Sequence, residues 1–122
     1  MATIKLYTDI EQSKKLAEIL PLESADMFYH YNVGVKSYYE DTPRVIQVNN
    51  HFAFFHRDIP CWSLAALLGI LAEQDFIIKS LERNNEYQYN IDIPSRHCKI
   101  WFSSLLDAAF EMVCYLKENN KL

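Results

Sequence analysis

Fourteen consecutive residues, from Ile59 to Ala72 (IPCWSLAALLGILA), carry no charge. A helix built on this run is apolar nearly all round, so its own fold must cover most sides and a partner any remainder. Pro60 stands ahead of the run and Ser63 sits where a cap is needed, which predicts a helix over Trp62–Ala72. Gly69 costs about 1 kcal/mol against alanine inside a helix, which points to a close helix crossing or an early end. The run is shorter than the ~18–20 apolar residues that cross a bilayer. A central core helix is expected, and its uncovered side is where a second subunit would sit.

A different pattern governs Glu86–Ile93. Tyr87, Tyr89, Ile91 and Ile93 alternate with Glu86, Gln88, Asn90 and Asp92. Only a period of two gives this, so a strand with one buried and one wet face is predicted. Phe76–Glu82 precedes it across Arg83-Asn84-Asn85, and Lys99–Ser103 follows Pro94-Ser95-Arg96, which together predict a three-stranded antiparallel meander. Leu106, Ala109, Phe110, Val113 and Leu116 fall at the three-and-four spacing of a core-facing helix over 105–119. Ser103 or Ser104 would cap it, and Asp107 suits its positive end. A further helix is predicted from about Asp9 to Leu20, capped by Thr8 or Asp9 and stopped by Pro21. Glu11–Lys15 and Lys14–Glu18 are opposite charges on its solvent side.

Residues 26–58 are rich in tyrosine, phenylalanine and valine, which favours strands over Met27–Val35 and Ser37–Glu40. Val45–Val48 and Phe52–Phe55 flank Asn49-Asn50, the signature of a hairpin. With no linker and no repeat, the elements predict a single α+β domain over residues 1–122. Its antiparallel sheet has about five or six strands, with three helices packed mainly on one face.

Composition narrows the function classes. Twelve basic residues against sixteen acidic ones give a net charge of −4, and the arginines are scattered. A nucleic-acid binder relies on a concentrated positive field, so nucleic acid is not an expected partner. The opening MATIKLYTDIEQSKK has no apolar stretch of a secretory signal, and Cys61, Cys98 and Cys114 are odd in number without close spacing. A cytoplasmic protein with reduced thiols, away from the membrane, is expected.

Candidate chemistry is sparse. His51, His56, Asp58 and Cys61 lie close in sequence, but their spacing matches no zinc site, and no metal or cofactor is expected. His97-Cys98 invites a thiolate–imidazole pair, yet neighbours on a strand point apart. Asp107 and Glu111 share a helix face and read as solvated charges rather than an acid–base pair. Phe28, Tyr29, Tyr31, Tyr38, Tyr39, Phe52, Phe54 and Phe55 could line a platform for bases, though with few accompanying cations.

Three segments carry a likeness. They are Glu11-Gln12-Ser13-Lys14-Lys15-Leu16 leading to Ser24-Ala25-Asp26-Met27, then Ile59-Pro60-Cys61-Trp62-Ser63-Leu64 with Ala66-Leu67-Leu68, and Asp107-Ala108-Ala109-Phe110-Glu111-Met112 with Leu116-Lys117-Glu118-Asn119. In this order and spacing the chain resembles small hypothetical proteins of gut Bacteroidales and their phage or integrative elements. It departs from them at Leu71-Ala72-Glu73, where Leu-Pro often closes the helix. The resemblance implies a bacterial, cytoplasmic, mobile-element protein and transfers no functional residue.

The residues point to a non-enzymatic interaction or regulatory protein that self-associates and binds another protein. Trp62, Tyr29, Tyr31 and Phe54 are the expected partner surface. The alternative is a small-ligand or nucleic-acid binding module built on the aromatics of 28–57.

Overall fold

The computed structural model describes residues 4–46 and 57–122. Its architecture is α+β, with three helices and seven antiparallel strands among the described residues. Helix α1 spans Ile10–Ile19, and Asp9 starts it with a reciprocal cap. The Asp9 carboxylate accepts from the Gln12 backbone N–H, and the Gln12 side chain accepts from the Asp9 N–H. On its surface the ion pair is Lys14 with Glu11 at 3.9 Å, rather than either of the four-apart pairs expected.

The aromatic region is more broken than its composition predicts. The strand expected over 27–35 divides into β1 (Met27–Tyr29) and β2 (Tyr31–Asn32). The Tyr31 N–H donates to the Asp58 carboxylate at 2.9 Å, so a side chain takes the place of a ladder partner there. β3 (Tyr38–Tyr39) pairs with β2, and β4 (Arg44–Val45) and β5 (Ile59–Cys61) flank β1. Elements this short hold little alternation, and the antiparallel pairing is distributed over three small sheets rather than one. The hairpin expected about Asn49-Asn50 lies outside the described residues, apart from Val45 and Ile46 at its start.

The charge-free run therefore begins as a strand. Ile59–Cys61 is β5, Trp62 follows it, and α2 covers Leu64–Leu71. Ser63 caps α2 as its position predicts, accepting from the Ala66 N–H at 3.1 Å. Only Leu67 and Leu71 of this helix are buried, while Ala65, Gly69 and Ala72 are exposed. A Cβ added at Gly69 would meet nothing within 4 Å, so no helix crossing explains the glycine.

β6 (Ile77–Arg83) and β7 (Glu86–Asp92) form the longest hairpin. Asn84 and Asn85 turn it with φ of 55° and 63°, a left-handed conformation that asparagine tolerates better than most residues. The alternation of β7 holds on the core side only at its end, where Ile91 and the following Ile93 are buried beneath α3 (Leu105–Glu118). Tyr87, expected on the same buried face, is exposed, and Tyr89 is half-buried. Its polar face is not wet throughout, because Asn90 and Asp92 are buried as well. The chain after β7 folds back over them: Asp92 accepts from the Cys98 N–H at 2.8 Å, and the Asn90 amide donates to the Cys98 carbonyl. The third meander strand is reduced to one bridge, in which Phe102 and Tyr89 exchange backbone hydrogen bonds of 2.7 and 2.8 Å.

α3 closes the core. Ser104 caps it, and its inner face joins Leu16, Trp62, Leu67, Leu71, Ile91 and Ile93 in the main apolar cluster. A smaller cluster of Tyr29, Ile59 and Cys61 sits under α1.

Candidate functional site

The N-terminal segment runs antiparallel to the start of α2. Thr8 N–H donates to the Trp62 carbonyl at 2.9 Å, and Leu64 N–H to the Leu6 carbonyl at 2.8 Å. This places residues 4–9 between the first turns of α1 and α3. A cleft of about 500 Å³ opens there, with Ile4, Leu6, Tyr7 and Tyr29 among its walls and Asp9, Asp41, Ser103, Ser104 and Asp107 among its polar groups.

Lys5 ties the cleft together. Its ammonium lies 3.1 Å from Asp9 and 2.9 Å from Asp107, and the Gln12 amide donates to the same Asp107 oxygen at 2.8 Å. Burial acts to raise the Asp107 carboxyl, but hydrogen bonds from Lys5, Gln12 and Ser104 outweigh it and hold the group below the usual carboxylate range. Burial likewise works against the charge of Lys5, yet its two carboxylate partners keep its ammonium above the ordinary value. Lys5 is thus a fixed cation, clasping the two helix starts.

Behind the cleft, Thr8 is fully buried and serves as a polar hub. Its hydroxyl lies 2.8 Å from Ser13 Oγ and accepts from the Trp62 N–H at 3.1 Å, and its carbonyl accepts from the Tyr29 hydroxyl at 2.7 Å. Burial pushes the Tyr29 phenol up, so it remains a neutral donor. The Cys61 thiol also lies against Thr8, 3.4 Å from its carbonyl, and burial raises it too.

No family model, curated protein or solved structure matches the chain.

The residues expected at a partner surface are scattered. Trp62 is fully buried, its indole N–H donating to Ser24 Oγ at 3.0 Å, so its ring fills the core instead of presenting a face. Tyr29 is buried under Thr8. Tyr31 is half-buried, packed edge-on against Tyr39 with centroids 4.9 Å apart and covered by the Arg57 guanidinium. Phe54 lies outside the described residues, as do Phe52, Phe55, His51 and His56. Of the described aromatics of 28–57, Tyr29, Tyr31 and Tyr39 are thus engaged by neighbours, whereas Tyr38 is exposed and its hydroxyl accepts from the Asn32 amide.

Among the weaker candidates, Asp58 is drawn away from Cys61. Its carboxylate, fully buried, lies 3.2 Å from His30 Nδ1. Asp107 is not a solvated neighbour of Glu111, since Lys5 and Gln12 hold it. His97 turns its Nδ1 to Asp92 at 3.4 Å, while Cys98 Sγ points to the Ile100 carbonyl. Burial pushes the Cys114 thiol up to about 11. Among the described residues, no group of three or more His, Cys, Asp or Glu is placed to hold a metal ion, and no helix is long and apolar enough to cross a membrane.

A second surface was not foreseen. No residue of β6 is buried, and its outer edge has no strand partner among the described residues. Ile77 is 64% exposed and Ile78 42%, with Tyr87 of β7 48% exposed on the face that also carries Ile78. The period-two signal of β7 marked the hairpin but could not show that covering stops short of its outer strand.

Proposed function

We propose that this is a small non-enzymatic binding protein that docks on another protein through the β6–β7 hairpin. The observation that carries this reading is the combination of exposed isoleucines and an open strand edge in β6. Unpaired backbone groups on such an edge accept an extended segment by strand addition, and neighbouring apolar side chains add affinity. The charges of β6 argue against pairing with its own copy. A two-fold axis through Ser80 sets Lys79 opposite Leu81 and diagonal to the second Lys79 and to Arg83, and shifting it to Lys79 sets the two lysines face to face. A different protein is therefore the better partner for this edge.

The test is a photo-crosslinking residue at position 77, compared with one at Glu111 on the exposed side of α3. A discrete adduct from position 77 that disappears when Ser80→Pro blocks the edge supports the reading. Equal adducts from both positions, or none from position 77, removes it.

A further inference from the structure

The backbone of β6 sets which of its side chains an added strand would meet. Opposed residues of an antiparallel pair alternate between exchanging both backbone hydrogen bonds and exchanging none. Tyr89 of β7 exchanges both with Phe102 on its far side, so it exchanges none with Ser80 across the hairpin. Ser80, with Ile78 and Glu82 two residues to either side, therefore turns its N–H and carbonyl outward to the open edge. An antiparallel segment bonded to these three makes its closest side-chain approaches between and beside them. There, opposite Ile77, Lys79, Leu81 and Arg83, paired Cα atoms stand about 4.5 Å apart.

Those four residues share one face and alternate apolar with basic. Ile77 is exposed and Leu81 half-buried. Lys79 is held by Asp92 at 2.7 Å and lies over the Trp101 ring, so its half-exposed ammonium is fixed in place. Arg83 is exposed and has no hydrogen bond or ion pair among the described residues. The acidic residues of this face, Glu86 and Asp92, lie one strand further in, on β7. A strand added outside β6 thus meets a row whose only charges are positive.

We infer, on the strength of the docking role proposed above, that the β6 edge takes an extended acidic segment of another protein. Along one face of that segment carboxylates alternate with apolar side chains, the carboxylates opposite Lys79 and Arg83 and the apolar residues opposite Ile77 and Leu81. Opposite charges and apolar groups paired across strands add to the backbone bonding, and a basic segment would set like charges face to face.

The probe is the capped peptide Glu-Thr-Val-Thr-Glu-Val-Val, with glutamine or lysine replacing both glutamates as controls, followed by amide NMR shifts of the whole chain at neutral pH. The expected result is a saturable response along residues 77–83 that added salt weakens. The glutamate peptide should bind about three- to tenfold tighter than the glutamine peptide, and the lysine peptide weakest. Arg83→Gln is expected to weaken the glutamate peptide about two- to fivefold and leave the glutamine peptide unchanged. Ser80→Pro should abolish the response while keeping the hairpin, because the Ser80 N–H takes no part in the ladder with β7. Equal binding of the three peptides, or tightest binding of the lysine peptide, overturns the acidic segment and leaves strand addition in place. A dimer in sedimentation that Ser80→Pro dissociates overturns it in favour of a second copy. No response to any peptide at millimolar concentration overturns it as well, and the docking role itself is then decided separately by crosslinking from position 77.

Discussion

Helices α2 and α3 exchange the roles their compositions suggest. α2 contains no polar side chain, yet only two of its eight residues, Leu67 and Leu71, are buried. α3 carries Asp107, Glu111, Lys117 and Glu118 and buries eight of its fourteen. Apolar content measures what a helix could bury, whereas spacing decides what it does bury. The open side of α2 is also cheap to expose, because Ala65, Gly69 and Ala72 present little area. A uniformly apolar helix can thus leave one narrow side open without a large hydrophobic patch, its Leu64, Ala66, Leu68 and Ile70 half-buried against the core. A mixed one forms the floor of that core.

The comparison breaks most directly by truncating one residue on each helix. Leu116 of α3 is fully buried, so Leu116→Ala is expected to cost about 2–5 kcal/mol in urea unfolding. Leu68 of α2 is half-buried, and Leu68→Ala should cost about 1 kcal/mol. Equal losses would mean that α2 is covered by something beyond the packing described.

The helix starts differ too. Ser63 caps α2 and also donates its hydroxyl to Asp26, whose other oxygen accepts from the Ser63 N–H at 2.8 Å. Ser63→Ala removes the cap and leaves Asp26 short of a partner, an expected loss of about 1–2 kcal/mol in the same measurement. At the start of α3, Asp107 is partly exposed, so Asp107→Asn is expected to cost about 1 kcal/mol at neutral pH. Its folded carboxyl is held below the ordinary value, so its contribution is present above the unfolded pKa near ~4. That contribution is lost as pH falls through the lower folded value. The wild-type and Asp107→Asn curves should converge in acid, and a gap that persists there would show that the ion pair is not its source.

How much of this was legible follows from the range of each signal. α3 and β7 were readable because period and spacing are local, and Ser63 was readable for the same reason, whereas the sequence left the cap of α1 open between Thr8 and Asp9. Trp62 was misplaced because an aromatic in an apolar run carries no mark of whether it points in or out. The Lys5–Asp107 clasp joins residues 102 apart, and Cys61 reaches Thr8 across 53, distances over which no sequence period operates. β1 to β5 are two or three residues long, too short to show an alternation, and their register comes from tertiary partners such as Asp58. The cleft was invisible because it belongs to no one segment.

The smallest expected effect is also the sharpest test of the open side of α2. Gly69 has an ordinary helical backbone, without positive φ, and space around the place of a Cβ. Gly69→Ala should therefore stabilise the protein by about 0.5–1 kcal/mol, through a smaller entropy loss on folding. Thermal or urea unfolding at low and high protein concentration reads it. A gain at both concentrations means that this face of α2 meets solvent. A gain when dilute that turns into a loss when concentrated means that a second copy approaches the glycine closely, placing self-association on α2 rather than on the charged edge of β6.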